Sequence, residues 1–193
     1  MTEPASASGR TGRPRDATID ERALAAARRL LVEEGFAATT IQAIAERSGV
    51  HASAIYRRWP SRYELIEDAA FAGLPADQVP PTGDLRHDLH RFLDAYVTTF
   101  DSPAVRAALR GLLASDRRAG RPPEAWRRLS VRPQFREILA AAPPGAVDPG
   151  VDADDVFDLL LGSVLVRALV PEEARRRPPI ERTVDLLLRA LSG

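Results

Sequence analysis

The chain has 193 residues, of which 45% are hydrophobic and 28% charged, the balance of a globular protein with one compact domain or two small ones. It contains no cysteine, which excludes disulfides, thiolate metal sites and cysteine nucleophiles. No apolar run approaches 18 residues and the first 15 residues contain no apolar signal segment, so we predict a cytoplasmic protein.

The net charge is zero, but it is unevenly distributed along the chain. Residues 1–62 carry a net charge of +3, and residues 63–193 carry −3. A positively charged N-terminal part suits a polyanionic partner, although a charge asymmetry of this size also arises by chance.

The predicted elements of the first third are a polar arm and four helices. Residues 1–15 are rich in Ser, Gly, Pro and Arg and predict a flexible basic arm. Apolar residues at helical spacing then predict a helix that starts after Thr18 and ends at Gly35. Thr39 or Thr40 is expected to cap a short helix, a third runs from about 51 to 58, and Ser61 caps a fourth.

A proline-rich linker, residues 75–83, separates this part from the remaining predicted helices. Further helices are expected over residues 84–100, 103–114, 152–170 and 179–191. Another begins at Pro122, and Pro133 should kink or divide it because proline supplies no N–H group. About nine helices and no convincing strand pattern predict an all-α fold.

The second and third helices are joined by a tight turn at residues 48–50, which is the arrangement of a helix-turn-helix motif. Gly49 permits the turn, and Ile44, Ala45, Val50 and Ile55 are spaced to pack the two helices together. In such a motif the second helix is presented to the major groove of DNA.

Four residues of the third helix share one side and carry no large aliphatic group: Ala52, Ser53, Tyr56 and Arg57. Ala52 suits a thymine methyl group, Arg57 suits guanine or a phosphate, and Tyr56 suits a phosphate. Their residue types also fit the solvated face of an ordinary helical core. DNA binding is the favoured interpretation.

The segment resembles the DNA-binding signature of the TetR family of repressors. The resemblance covers residues 16–70 and rests on a Thr before the second helix, the pairs Ile44-Ala45 and Gly49-Val50, and then Tyr56, Trp59, Arg62 and Leu65. Ser48, His51 and Arg62 depart from the family's more frequent Ala, Ser and Lys. The resemblance implies that residues 16–62 form the DNA-binding domain, with contacts from Thr39, Thr40, His51, Ala52, Ser53, Tyr56, Arg57, Arg58 and Arg62.

The resemblance continues more weakly over residues 83–193 and implies that residues 63–193 form a helical domain for effector binding and dimerisation. The apolar pocket is expected among Phe92, Tyr96, Phe100, Leu109, Leu113 and Trp126, which equally suit a plain core. The dimer interface is expected at Phe157, Leu160, Leu161, Val164, Leu165, Val184 and Leu188. The alternative is that these residues form only an internal core.

Two smaller features leave alternatives open. Arg13 and Arg15 flank Pro14 and suit the electronegative minor groove of DNA, or belong to an ordinary disordered tail. His87 and His90 lie one helical turn apart, a spacing that can bind Zn²⁺ but more often marks a solvated face, so we predict no metal or cofactor.

The function predicted from the sequence is that of a homodimeric repressor, released from a palindromic DNA operator by a small molecule. No Ser-His-Asp arrangement or phosphate-binding glycine loop stands out, so an enzyme is not predicted. A helical scaffold is the other alternative, but it would not require Tyr56 and Arg57 on the outward face of a turn-linked helix.

Overall fold

A computed structural model of the chain describes residues 17–72, 74, 80–119, 131–170 and 179–192. In these ranges all regular structure is helical, which confirms the predicted all-α class. The ten helices are α1 (Ala17–Glu33), α2 (Gly35–Ala38), α3 (Ile41–Ser48), α4 (Ala52–Tyr56), α5 (Arg62–Phe71), α6 (Leu85–Asp101), α7 (Pro103–Ala119), α8 (Arg132–Ala140), α9 (Ala153–Leu169) and α10 (Ile180–Leu191). The predicted arm and Trp126 lie outside the described residues.

Polar side chains begin several helices where the sequence predicts them. The Thr40 hydroxyl accepts the N–H of Ala43 at 3.1 Å and begins α3, and Ser61 accepts the N–H of Glu64 at 3.3 Å and begins α5. Asp84 begins α6 and Asp152 begins α9 in the same way. Each cap satisfies a backbone donor that the first turn of a helix leaves unpaired.

Two predicted boundaries are wrong. Helix α1 already contains Ala17 and Thr18, so Thr18 does not precede it. Helix α7 continues to Ala119, beyond the expected end at residue 114. The expected start of a helix at Pro122 lies outside the described residues, and α8 begins at Arg132, so Pro133 lies in its first turn, as a division of the helix at that proline requires. A proline is tolerated there because its missing N–H would have no partner inside the helix.

The apolar side chains form two cores, which we call the head core and the body core. The head core lies among α1, α3, α4 and α5, and the body core lies among α6 to α10. Helices α1 and α5 contribute to both. Leu30 and Leu65 point into the head core, while their neighbours Leu31 and Ile66 point into the body core. The two cores are therefore joined through shared helices.

The start of α6 is fixed by a buried carboxylate. Asp88 has no exposed surface and accepts hydrogen bonds from the N–H and hydroxyl of Thr82, both at 2.8 Å, and from the N–H of Gly83 at 3.1 Å. These bonds satisfy the acid inside the protein and hold the end of the linker against the body. None of the helices in the described ranges is long and apolar enough to cross a membrane.

Besides the shared helices, the aromatic ring of Phe36 joins the head to the body by packing on Gly111. Helix α2 places Phe36 against Gly111 of α7, and a Cβ atom added at Gly111 would lie 1.9 Å from Cγ of the ring. No real contact is that short, so a residue with a side chain at position 111 would displace Phe36.

We expect Gly111→Ala to destabilise the protein by about 1–3 kcal/mol, the usual range for overpacking a filled site. The measurement is urea unfolding followed by circular dichroism. In a Phe36→Ala background the same substitution should be neutral or stabilise by up to about 1 kcal/mol, because alanine is a better helix former than glycine. An equal loss in both backgrounds would show that the ring does not limit this position.

Candidate nucleic-acid interface

The α3–turn–α4 unit has the predicted helix-turn-helix geometry. Gly49 ends α3 with φ +65°, a left-handed conformation that glycine adopts without a Cβ clash. Ile44, Val50 and Ile55 are buried, as their spacing predicts. The turn is also held by hydrogen bonds: the Ser48 hydroxyl accepts the N–H of Val50 at 3.2 Å, and Arg22 of α1 donates to the Ser48 carbonyl.

The far end of α4 is fixed by two side chains that follow it. Trp59 is buried and its Nε1 donates to Oδ2 of Asp68 in α5 at 2.8 Å. Arg58 forms an ion pair with Asp20 of α1 and donates to the Ala54 carbonyl at 3.2 Å. The guanidinium of Arg58 is thus engaged inside the head. A DNA contact of Arg58 stays a prediction, for a side chain that already bonds to Asp20 and to the Ala54 carbonyl.

The side of α4 opposite to its buried residues is polar and open. Ala54 and Ile55 point into the head core, while Ser53, Tyr56 and Arg57 are exposed, Tyr56 with 55% of its surface accessible. His51 is exposed where α4 begins, and its side chain makes no capping bond. In the part of the chain that the structure describes, no hydrogen bond occupies the side chains of these four exposed residues.

The two threonines before α3 differ from each other. Thr39 is completely buried and its hydroxyl donates to the Gly35 carbonyl at 2.8 Å. A DNA contact through the Thr39 side chain is therefore a wrong prediction, because that side chain ends α2. Thr40 is exposed beside α3 while it caps that helix. Ala52 is half-buried at the edge of the open face of α4.

Arg62, the first residue of α5, packs against two aromatic rings, which the sequence did not indicate. Its Cζ atom lies 4.8 Å from the centre of the Phe36 ring and 5.1 Å from that of Tyr63. One N–H donates to the Ala37 carbonyl at 3.4 Å. Tyr63 follows Arg62 directly in the sequence, so a contact between these two side chains could have been predicted. The contact with Phe36 arises only from the fold.

The described members of the predicted effector pocket, which leave out Trp126, lie in or beside the body core. Phe92, Tyr96, Phe100 and Leu109 are buried, Leu113 is half-buried, and the Tyr96 and Phe100 rings lie 4.8 Å apart. Burial raises the pKa of the Tyr96 hydroxyl well above its ordinary value, so the group is uncharged. The sequence did not indicate Gln134 of α8, a buried residue next to Phe135 in the chain, whose Oε1 has no hydrogen-bond partner among the described residues.

Four of the seven residues predicted for the dimer interface lie instead in the core of their own subunit, and the other three stay a prediction. Phe157, Leu160, Val164 and Val184 are buried inside their own subunit, where they complete the body core. Leu161, Leu165 and Leu188 are half-buried at the edge of that core. Helix α9 is apolar around most of its circumference, so periodicity alone could not identify its inner face.

An apolar strip remains on the outside of α9 and α10, and we call it the seam. Leu159 is 74% exposed, Val166 60% and Leu186 of α10 56%. Gly162 and Ser163 lie between the two α9 residues and are also exposed. Leu159, Gly162, Ser163 and Val166 follow the i, i+3, i+4, i+7 spacing of one helix face.

The histidine pair of α6 does not form a cluster of metal ligands. His90 Nε2 lies 3.4 Å from Oε1 of Glu181 in α10, and His87 is exposed. Among the described residues there is no group of three or more His, Cys, Asp or Glu side chains with metal-binding proximity.

Two family models match the chain. One, described as bacterial regulatory proteins of the tetR family, matches residues 23–69. The other, a tetracycline repressor-like C-terminal domain, matches residues 79–187. The first match spans α3, the turn and α4, and the second covers most of the body.

Similar proteins of comparable length carry related descriptions. An uncharacterized HTH-type transcriptional regulator of Mycobacterium tuberculosis is 31% identical over 182 residues, which covers 86% of this chain and 81% of the relative. The uncharacterized HTH-type regulator YdeS of Bacillus subtilis is 27% identical and covers 94% and 92%. The crystal structure of the TetR family transcription regulator SCO0332 superposes with a TM-score of 0.67 at 30% identity, covering 91% of this chain and 99% of that one.

Proposed function

Because the chain belongs to the TetR family of DNA-binding transcriptional regulators, we propose that it is a repressor that binds a palindromic operator as a homodimer and is released by a small molecule. Such a protein acts in the cytoplasm, where bacterial DNA lies. The proposal has three parts. They concern the exposed face of α4 with Ser53, Tyr56 and Arg57, which we call the reading face, the seam, and the buried aromatic cluster of the body.

The open side of α4 is the observation that carries the DNA-binding part of the proposal. Ser53, Tyr56 and Arg57 are exposed and unoccupied, while the helix itself is fixed by the Arg58–Asp20 ion pair and by Trp59. A rigid short helix that presents a hydroxyl, a phenol and a guanidinium matches major-groove readout. His51 and Thr40 at its margins suit backbone phosphates, and Arg13 and Arg15 suit the neighbouring minor groove.

The seam supports the homodimer. Exposed leucine and valine side chains gain free energy when a second copy covers them, at roughly 25 cal/mol for each Å² removed from water. Gly162 and Ser163 between them allow two helices to approach closely. A two-fold dimer places two α4 helices about one turn of DNA apart, so each half of a palindrome meets the same residues.

The buried aromatic cluster supports a mainly apolar effector. Phe92, Tyr96, Phe100 and Phe135 form a continuous aromatic contact, and the unpartnered Oε1 of Gln134 would accept a hydrogen bond from a ligand. A ligand that separates these rings stabilises an arrangement with the two reading helices wrongly spaced, and DNA is released.

Fluorescence anisotropy with labelled DNA from upstream of its own gene tests the proposal. We expect saturable binding at moderate salt, displaced by the same unlabelled DNA and far less by a scrambled duplex. Affinity should fall steeply as salt rises, because arginines release counterions from the phosphates. Screening small aromatic compounds for loss of this signal tests the effector. Equal affinity for the operator and the scrambled duplex would contradict sequence-specific regulation.

A further inference from the structure

A groove lies between the head and the body, away from the reading face and from the buried aromatic cluster. Its volume is about 450 Å³, and it is lined by Phe36, Ala37, Arg62 and Tyr63 of the head and by Gly111, Ala114 and Ser115 of α7. Small-molecule sites in proteins commonly have volumes of roughly 300–1,000 Å³. We call this space the junction groove.

The Arg62 guanidinium in this groove carries a positive charge. Among the side chains that the structure describes, which leave out those of residues 116–119, no carboxylate lies within ion-pair distance of it, and its one hydrogen bond is the 3.4 Å contact with the Ala37 carbonyl. A guanidinium has five N–H donors in a planar fork that matches the two oxygens of a carboxylate. Most of those donors are thus open to a ligand.

The walls around Arg62 are flat and apolar. The Phe36 and Tyr63 ring centres lie 6.1 Å apart, and both rings lie against the guanidinium. The Phe36 ring covers Gly111 of α7, so the open part of the α7 wall is at Ala114, whose short exposed side chain leaves space beside the rings. The Ser115 hydroxyl donates to the Gly111 carbonyl at 2.8 Å, so its oxygen can still accept a hydrogen bond.

We propose that the junction groove binds a small carboxylate with a flat apolar body, such as an arene carboxylate, and that Arg62 pairs with the carboxylate group. The exposed Tyr63 ring and the free edge of Phe36 then contact the flat part of the ligand, and Ala114 and Ser115 of α7 lie beside it. An inorganic phosphate would pair with the Arg62 charge but make no apolar contact with the aromatic rings. The groove therefore favours an anion that also has an aromatic or apolar surface.

Occupancy of this groove has a consequence for DNA binding. A ligand that holds Arg62 removes that cation from any phosphate at the start of α5, and it fixes Phe36 and Tyr63 of the head relative to α7. Binding should therefore weaken operator affinity. This second effect rests on the proposed function, whereas binding to the free protein does not.

Isothermal titration of the full chain without DNA tests the site. The probes are 1-naphthoate, its neutral analogue 1-naphthamide, and inorganic phosphate. The variants are Arg62→Gln, which removes the charge, and Ala114→Leu, which fills the groove from an exposed helical position that tolerates leucine. Arg29→Gln, an exposed arginine of α1 outside the groove lining, is the matched control.

We expect 1-naphthoate to saturate the wild type and the control variant. Each groove variant should bind 1-naphthoate about tenfold or more weakly than the wild type does. The wild type should bind 1-naphthamide more weakly than 1-naphthoate by the same factor, which is the usual effect of one charge-assisted hydrogen bond. Circular dichroism checks that the variants fold, and Ala114→Leu retains the test if Arg62→Gln does not.

Three results would overturn the inference: absence of saturation by naphthoate, equal binding of the amide, or phosphate binding as tightly as naphthoate. The last would identify a simple anion site that suits the DNA backbone. These titrations contain no DNA, so they test the groove independently of the proposed function. A chain that binds operator but not naphthoate would contradict only the groove, and a chain that binds naphthoate but not operator would contradict only the proposed function.

Discussion

Replacing Gly162 with tryptophan is expected to yield a folded monomer of 21.0 kDa that binds operator DNA about 100-fold or more weakly than the wild type. Inside the subunit, no atom lies within 4 Å of a Cβ placed on Gly162, so the substitution leaves the fold intact. The large side chain instead projects from the seam and prevents a second copy from approaching. Each monomer then holds only one half-site, and the gain from simultaneous binding of two is lost.

Analytical ultracentrifugation and thermal unfolding separate the two effects of this substitution. Ala140→Trp, which adds the same side chain at an exposed position of α8, serves as the control and should remain dimeric. If Gly162→Trp remains a dimer with unchanged operator affinity, the seam is not the subunit interface.

Removing the exposed groups of α4 is the second large expected effect. Arg57→Ala should weaken operator binding by about 1–3 kcal/mol, or roughly 5- to 150-fold, and the double variant with Tyr56→Ala should bind more weakly still. If Arg57 contacts a base, discrimination against altered operators falls; if it contacts a phosphate, the salt dependence decreases by about one ion. Neither side chain packs into the core, so the free energy of unfolding should hardly change.

Anisotropy titrations over a range of salt concentrations measure both outcomes. Arg182→Ala removes an exposed arginine from α10 in the body and is the control. Wild-type affinity in the Tyr56→Ala, Arg57→Ala double variant would mean that α4 does not read the operator.

Local signals in the sequence were sufficient to predict the helix-turn-helix. A threonine cap, a glycine in the left-handed region and three apolar residues at fixed spacing all act within about 15 residues, and each is found as expected at Thr40, Gly49, and Ile44, Val50 and Ile55. Such short-range preferences do not depend on the rest of the fold.

Features that depend on distant residues could not be predicted in the same way. Nothing local indicates that Arg58 pairs with Asp20, 38 positions earlier, or that Phe36 lies on Gly111. Phe157, Leu160 and Val164, which were expected at a dimer interface, lie in the body core for a related reason. Leucine and valine occupy nearly every side of that helix, so only its packing against α6, α7, α8 and α10 selects which residues are buried.

The shared helices α1 and α5 restrict how this regulator can be re-engineered. Adjacent residues on each of them, Leu30 with Leu31 and Leu65 with Ile66, belong to different cores. A chimera that joins a foreign head at the proline-rich linker would therefore also place foreign side chains in the body core. Functional hybrids require the donor's sequence for DNA recognition, but the recipient's own residues at positions such as 31, 66 and 71.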